Sequence, residues 1–216
     1  SNDGYAESAY SDEITLTKLA EVENLTYNEQ TKKLNWAASS GADRYIVTIN
    51  GVGTIVENVT EFALTIDDNQ KDITVVAASN QQSVYQSKPS KISLKRLVAP
   101  ELKIKNGELF WNSLGSIAES YSLTLTKDNA TVKEITDYKN TTYNFDDIPA
   151  GTYTVSIRAN ASKKQVSSVT YLSSTNESKL ENIEKLKAPT LGFNNQTLEF
   201  SIQDANATTK LNYVLN

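Results

Sequence analysis

A turn is joined to a strand pattern in residues 148–159, Ile148-Pro149-Ala150-Gly151-Thr152-Tyr153-Thr154-Val155-Ser156-Ile157-Arg158-Ala159, and this stretch is the strongest indication of the fold. Proline and glycine at its start are turn residues. After them Tyr153, Val155 and Ile157 alternate with polar residues. Successive side chains of a β-strand point to opposite faces, so this alternation predicts a strand with one face in a core and the other in water.

The same alternation occurs elsewhere in the chain, and turn signals separate the runs. The alternating apolar positions are Tyr45, Val47 and Ile49 in one run and Tyr121, Leu123 and Leu125 in another. The turn signals are Asn50-Gly51, Asn106-Gly107 and Asp128-Asn129. Many short strands with regularly spaced turns predict an all-β chain built of sandwiches.

A recurring signature divides the chain into segments. The signature is a six-residue stretch with Ala-Pro at its centre, followed by a short segment that ends in an aromatic residue. One copy is Leu97-Val98-Ala99-Pro100-Glu101-Leu102 followed by Leu109-Phe110-Trp111, and the other is Leu186-Lys187-Ala188-Pro189-Thr190-Leu191 followed by Leu198-Glu199-Phe200. A looser copy runs from Leu19 through Leu25 to Leu34-Asn35-Trp36, and residues 1–19 align with residues 79–97. We therefore predict four segments: 1–18 is the last strand of a preceding repeat, 19–96 and 97–185 are complete sandwiches, and 186–216 opens a further, incomplete repeat.

The two end segments carry apolar side chains, such as Leu16 and Phe193, without a full core to enter. Residues 186–216 have room for three strands, the last near residues 211–215. Because so small a sheet is only marginally stable alone, we expect neighbouring chain to order both ends, either the rest of a longer array or another copy. Residues 178–185 allow a helix or a strand, and the alignment of Leu16-Thr17-Lys18-Leu19 with Ile183-Glu184-Lys185-Leu186 favours strand or linker.

Tryptophan and tyrosine positions carry a family resemblance. Trp36 and Trp111 precede Tyr45 and Tyr121 by 9 and 10 residues, which resembles the second-strand Trp and third-strand Tyr of fibronectin type III domains. Residues 148–159 are similar to the turn and strand in which that family forms a tyrosine corner, with the Tyr153 hydroxyl returning to nearby backbone. The first repeat departs from this pattern, because Lys71 stands where Tyr153 would. The resemblance implies tandem immunoglobulin-like sandwiches and little about function.

Composition excludes several classes of protein. The 216 residues carry a net charge of −5 and include no His, Cys or Met. Without His and Cys, the chain lacks the commonest general base, the thiol nucleophile and the ligands of ordinary zinc sites. We therefore predict that it is not an enzyme and that it has no catalytic residues, no metal ligands and no cofactor. The acidic balance argues against nucleic acid, and no apolar run is long enough for membrane insertion. The densest basic run, Lys91 to Arg96, is interpreted as a solvated strand face.

Each candidate site has a plain structural interpretation that we favour. Trp36 and Trp111 could stack on sugars, but their strand positions favour core packing. Asp67-Asp68-Asn69 and Asp146-Asp147 could hold calcium, but turn geometry explains them better. Lys71 is the one lysine placed for an isopeptide cross-link.

Six tyrosines lie nearer turns or strand ends, where they could contact a ligand: Tyr5, Tyr10, Tyr85, Tyr138, Tyr143 and Tyr171. Asn-x-Ser/Thr triplets, which matter only in a eukaryotic secretory protein, start at Asn24, Asn58, Asn129, Asn140, Asn160, Asn176, Asn195 and Asn206.

Two functional hypotheses follow. In the first, the repeats are non-catalytic spacers of a secreted or wall-anchored bacterial protein and position other domains of the same chain, because the Ala99-Pro100 and Ala188-Pro189 junctions leave almost no linker and proline favours extended backbone before it. Short extended joints would make a semi-stiff rod. In the alternative, the repeats are adhesin-type or carbohydrate-binding modules that contact a glycan or host surface protein through loops such as residues 79–83.

Overall fold

The structure, a computed structural model, describes residues 15–162 and 164–203. The described residues divide into two compact units: the first contains residues 15–96 and 165–171, and the second contains the described residues of 97–164 and 172–203. Each unit is described by itself.

Strands make up nearly all of the regular structure in the described residues, together with a single 3₁₀ turn at Gly115–Ile117. In chain order the strands are β1 (Thr17–Lys18), β2 (Thr26–Asn28), β3 (Lys33–Asn35), β4 (Arg44–Ile49), β5 (Val52–Glu57), β6 (Glu61–Ala63), β7 (Lys71–Ala78), β8 (Val84–Tyr85), β9 (Ser90–Arg96), β10 (Lys103–Lys105), β11 (Glu108–Phe110), β12 (Ala118–Lys127), β13 (Ala130–Tyr138), β14 (Thr142–Tyr143), β15 (Gly151–Ala161), β16 (Val169–Leu172), β17 (Ser178–Lys185), β18 (Thr190–Asn194) and β19 (Glu199–Gln203).

The first unit has two main sheets. The smaller has the strand order β2-β3-β6, and the larger has the order β16-β9-β7-β4-β5. Within the larger sheet, β4 pairs antiparallel with β5 on one side and with β7 on the other. The short strands β1 and β8 form a separate parallel pair.

The second unit repeats this plan. Its smaller sheet is β10-β11-β14 and its larger sheet is β13-β12-β15-β17. A three-stranded sheet facing a larger sheet, with these connections, is the immunoglobulin-like sandwich that fibronectin type III domains share. The predicted all-β class and sandwich architecture are therefore confirmed.

The core of each unit consists of the apolar residues of the alternating strands. Tyr45 and Val47 of β4 are buried, as are Leu123 and Leu125 of β12 and Val155 of β15. Their polar neighbours along each strand face outward, as the period-two pattern predicts. Residues 178–185, for which a strand or linker was favoured over a helix, form strand β17.

The hairpin β18–β19 lies at the start of the predicted third repeat, and its register corrects one sequence alignment. Phe193 pairs with Phe200 across a four-residue turn, just as Tyr27 pairs with Leu34 in β2–β3. The alignment predicted Phe200 at the position of Trp111. The register places Ile202 there instead, because this turn is two residues longer than Asn106-Gly107 of β10–β11.

An asparagine caps that longer turn in both places. The Asn28 side-chain oxygen accepts hydrogen bonds from the backbone N–H groups of residues 30 and 31, both at 3.0 Å. The Asn194 oxygen accepts from residues 196 and 197 at 2.9 and 3.3 Å. Asn side chains stabilise turns in this way, so the shared motif Asn-x-Gln-Thr explains the shared register.

The structure describes only part of the two predicted end segments. Thr17 and Lys18 pair with Val84 and Tyr85 of the first unit. The rest of the predicted strand of a preceding repeat, residues 1–14, and the predicted strand near residues 211–215 lie outside the described residues. The assignment of both ends to further repeats stays a prediction.

Candidate functional site

The two tryptophans, which could have been sugar-stacking platforms, are core residues. Trp36 and Trp111 are both buried, and each packs edge-on against a tyrosine ring, Trp36 against Tyr45 at 5.4 Å and Trp111 against Tyr121 at 5.5 Å between centroids. In each unit the tyrosine hydroxyl accepts a backbone N–H, at 3.1 Å in the first and 2.9 Å in the second. Buried rings cannot receive a sugar, so the prediction of core packing is confirmed.

The predicted tyrosine corner is present in the second unit. Tyr153 is buried, and its hydroxyl donates a hydrogen bond of 2.8 Å to the carbonyl oxygen of Pro149, four residues earlier. In the first unit the Lys71 ammonium lies 3.2 Å from a carboxylate oxygen of Asp67, also four residues earlier. The same corner is thus closed by a hydrogen bond in one unit and by an ion pair in the other.

This ion pair does not provide an isopeptide site. The Lys71 side chain is 21% exposed and the Asp67 side chain 49% exposed. Cross-linking needs a buried lysine beside a buried acid, so that the amine loses its charge by desolvation. Lys71 does not meet this requirement.

The two acidic runs serve turns and ion pairs. A carboxylate oxygen of Asp67 accepts the backbone N–H of Asn69 at 3.0 Å. Asp147 pairs with Lys133 and accepts the Tyr143 hydroxyl at 2.7 Å. Among the described residues, no group of three or more His, Cys, Asp or Glu side chains is placed to hold a metal ion.

The loop at residues 79–83, the candidate binding loop of the alternative hypothesis, is anchored by Asp43. The Asp43 carboxylate accepts the Asn80 backbone N–H at 3.0 Å, the Ser79 hydroxyl at 2.9 Å and the Arg44 Nε–H at 3.4 Å. These donors, the Asn80 N–H foremost, lower the pKa of Asp43 below the ordinary aspartate value. The start of the loop is therefore held in one conformation while the carboxylate is charged.

We expect the Asp43 carboxyl to titrate below about 3.9, the ordinary value for aspartate. Because its pKa is lower in the folded state, its stabilising contribution is complete above the unfolded-state value and is lost as the pH falls through the folded-state value. A carboxyl-carbon NMR titration measures this midpoint, and amide exchange of Asn80, corrected for its intrinsic pH dependence, reports release of the loop. A midpoint at or above 3.9 would contradict the assigned hydrogen bonds.

A polar hollow of about 340 Å³ lies on the outer face of the larger sheet of the second unit. Asn160 lines it, and its Nδ2 lies within hydrogen-bonding distance, 2.9 to 3.0 Å, of three acceptors: Ser120 Oγ, Ser122 Oγ and the Thr136 carbonyl. Arg158 pairs with Glu177 at its edge. The hollow is also lined by Thr124, Glu134 and Ser156, so a polar ligand would meet hydroxyl and carboxylate groups besides those that bond to Asn160. The sequence showed only the polar side of the strand alternation here and did not mark it as a site.

A larger cleft of about 560 Å³ in the second unit is lined by the Asn106-Gly107 turn, residues 144–146 and residues 183–186. Phe145 and Ile183 form its apolar floor and are buried. Its rim carries Glu108, Asp146, Glu184 and Lys185. Three of these four groups are acidic, so a ligand of this cleft would be neutral or cationic.

The remaining candidates are dispersed. Tyr85 is exposed, Tyr138 and Tyr171 are half-buried, and Tyr143 is buried and so unable to make a surface contact. Tyr5, Tyr10 and Asn206 lie outside the described residues. Asn160 has its amide engaged, whereas the asparagines of the other described triplets are exposed at Asn24, Asn58, Asn129, Asn140, Asn176 and Asn195. The structure does not bring these candidates together into one site.

One basic residue was misjudged from the sequence. The run from Lys91 to Arg96 was interpreted as a solvated face, but Arg96 points inward and is buried. Its Nε–H donates to the Ile66 carbonyl at 2.9 Å and its Nη1 lies 2.6 Å from a carboxylate oxygen of Glu29. The alternation of Ile92, Leu94 and Arg96 was the signal that could have predicted this orientation.

Of the comparisons with known proteins, only the one with solved structures found similar chains. No protein-family model and no curated protein matches the chain. Similar solved structures are the central fibronectin-III array of RIM-binding protein, the fibronectin(III)-like modules of Clostridium thermocellum CbhA and the FN1–FN3 domains of chicken CNTN1. Their identities are 16%, 10% and 12%, and their TM-scores 0.29, 0.30 and 0.28. The matches cover 81%, 78% and 89% of this chain and 75%, 90% and 77% of those chains.

The fold assignment rests on the sheet topology itself and not on these comparisons. In the part of the chain that the structure describes, no helix is both long and apolar enough to cross a membrane.

Proposed function

We propose that this chain is a non-catalytic spacer in a secreted or cell-surface bacterial multidomain protein, where its tandem sandwiches position other domains. The observation that carries the proposal is the segment between β9 and β10. It is folded into the second unit and is not a free linker.

The contacts of this segment are specific. Leu97 and Leu102 are buried. The Leu97 N–H donates to the Leu172 carbonyl at 2.9 Å, and the Leu102 N–H donates to Ser178 Oγ at 3.1 Å. Pro100 fixes its own φ and keeps its predecessor extended. A spacer requires a connecting segment that is anchored by buried side chains and hydrogen bonds in this way, whereas a flexible tether does not.

Chain chemistry supports the non-catalytic part of the proposal. The sequence has no His and no Cys, and the carboxylates of Asp43, Asp67 and Asp147 are engaged in a loop anchor, a turn and ion pairs. A cysteine-free chain rich in Ser, Thr and Asn is typical of bacterial surface proteins, which is the basis for proposing an extracellular location.

The test is a pair of spin labels, one on each unit. Because the chain lacks Cys, Lys88→Cys with Val132→Cys gives two labels and no others. We expect a narrower distance distribution than in a matched variant with Gly-Gly-Ser inserted after Arg96. Equal, broad distributions in the two proteins would show a flexible joint and overturn the spacer proposal.

A second candidate function is recognition of a glycan or a host protein. The anchored loop at residues 79–83 and the hydroxyl-rich hollow around Asn160 favour it, because both present ordered polar groups to solvent. Binding of the whole chain on a glycan array, lost in Asp43→Ala or Asn160→Ala but retained in Val132→Lys, would support this role. An array without reproducible binding would leave the spacer role alone.

A further inference from the structure

The strands β5 and β13 occupy the same outer edge of the larger sheet in their two units, and they differ in how they are protected. An edge strand has unpaired backbone groups, and proteins normally guard it with bulges and charges. The pairing of β13 with β12 has two register shifts, and β13 carries Lys133 and Glu134 at its middle. The pairing of β5 with β4 is unbroken over six residues, and its one charged residue, Glu57, lies at its end.

Three residues of β5 direct their backbone groups to the free edge. The Asn50 N–H donates to the Asp72 carbonyl on β7, so the even-numbered residues of β4 face β7 and the odd-numbered ones face β5. Antiparallel pairing then turns Val52, Thr54 and Val56 of β5 toward β4. The N–H and C=O groups of Gly53, Ile55 and Glu57 point away from the sheet, and no backbone group among the described residues pairs with them.

An apolar row on the outer face of the same sheet ends at this edge. Ile55 pairs with Ile46, and Ile46 pairs with Val76, so the three side chains lie side by side across β5, β4 and β7. Ile55 is 54% exposed. In the second unit the positions of Ile46 and Val76 are taken by Ser122 and Arg158. The apolar row is therefore a property of the first unit and not a requirement of the fold.

We propose that β5 pairs with β5 of a second copy of this chain, antiparallel and centred on Ile55, so that two larger sheets join into one. In this register Ile55 lies opposite Ile55 of the second copy, and Gly53 lies opposite Glu57. Each of the three outward-facing residues donates one backbone hydrogen bond and accepts one. The proposal is independent of the spacer function.

Charge and shape favour a second copy as the occupant. Glu57 faces glycine of the other strand and not another carboxylate, and it has Arg44 as its registered neighbour within its own sheet. Like charges directly opposite one another destabilise a strand pair, and this register contains none. The apolar row of one copy continues into that of the other, because Ile55 is the last member of each row. A two-fold interface requires such self-complementarity.

The small area of the β5–β5 contact limits the affinity of the proposed dimer. Two five-residue edges bury less than the roughly 1,200 Å² of a stable protein interface, so the isolated chain is expected to associate weakly, in the range of a transient pair. On a surface that carries many copies, the same contact would act at high effective concentration and link neighbouring chains laterally.

The test uses sedimentation velocity on the whole 216-residue chain over a concentration series. We expect concentration-dependent dimers, an apparent Kd raised at least about tenfold by Ile55→Lys, and a change within about twofold for Val132→Lys, the matched variant on the guarded edge. Thermal melts of both variants should match the parent, because Ile55 and Val132 are exposed. A chain that stays monomeric throughout, or dimers that survive Ile55→Lys, would overturn the proposal.

The hairpin β18–β19 is the competing site of self-association, since Leu191 and Phe193 are exposed on it. The variant Leu191→Lys distinguishes the two sites of association: dimers lost in this variant and retained in Ile55→Lys would assign association to the hairpin and refute the β5 pair.

Cross-linking through a single introduced cysteine shows directly which residues meet in the dimer, and it does not depend on a variant that weakens association. Opposed residues lie about 5.5 Å apart between Cα atoms, within disulfide reach, so Ile55→Cys should oxidise to a covalent dimer and Val132→Cys should not.

Discussion

Replacing Trp111 by alanine is expected to lower the free energy of unfolding of the second unit by about 3–5 kcal/mol, the usual cost of truncating a large core aromatic. The indole is only 4% exposed. It contacts the Tyr121 ring at 5.5 Å and the Tyr138 ring at 6.1 Å, so both rings lose a partner and a cavity remains between the sheets. Urea unfolding followed by circular dichroism measures the loss.

The remaining tryptophan supplies the control for this experiment. Each unit contains one tryptophan, so in Trp111→Ala the fluorescence of Trp36 reports unfolding of the first unit alone. Its midpoint should not move by more than the equivalent of about 0.5 kcal/mol. A loss below about 1 kcal/mol in the second unit would mean that Trp111 is not a core residue.

Local pattern was sufficient to predict the sandwiches. The apolar positions of β12 and β15 alternate with polar ones, and β4 follows the same pattern except at Ile46 on its outer face, so each strand has one buried face and one face toward solvent. The Trp36–Tyr45 and Trp111–Tyr121 pairs could be predicted for a similar reason, because each is set by the short connection that leads from the smaller sheet to the larger one, β3 to β4 and β11 to β12. Strand assignment of residues 178–185 followed from alignment with a second copy of the same segment.

The sequence did not show which residues far apart in the chain contact each other. Arg96 is buried because Glu29, 67 residues away, and the Ile66 carbonyl satisfy its guanidinium. Nothing near Arg96 in the chain indicates either partner. The Phe193–Phe200 register was missed because two copies of the signature have turns of different length, and the alignment assumed that the turns were equal.

The candidate sites were harder to predict than the fold for a related reason. The order of the loop at residues 79–83 depends on the Asp43 carboxylate, and the outward-facing β5 edge depends on which neighbour each residue of β4 faces. Both follow from pairing between strands, whereas the sequence patterns concern single strands. Asp67 and Asp147, for which turn geometry was favoured over calcium binding, have partners within their own turns or on an adjacent strand.

Replacing Tyr153 by alanine is expected to cost the second unit about 3–5 kcal/mol, and replacing it by phenylalanine about 1–2 kcal/mol. Tyr153 is 1% exposed, so alanine leaves a cavity in the core. Phenylalanine fills that space but leaves the Pro149 carbonyl without the 2.8 Å hydrogen bond of the hydroxyl. Urea unfolding of the two variants separates the packing contribution of the ring from that of the corner.

The first unit tests the same corner with different chemistry. Lys71→Ala removes the ion pair with Asp67, in which both side chains reach solvent, and exposed ion pairs contribute little to stability. We therefore expect Lys71→Ala to destabilise the first unit less than Tyr153→Phe destabilises the second, and 0.5 M salt to reproduce part of the Lys71→Ala effect by screening without changing that of Tyr153→Phe. An equal or larger loss in Lys71→Ala would mean that the ion pair replaces the tyrosine corner in strength as well as in position.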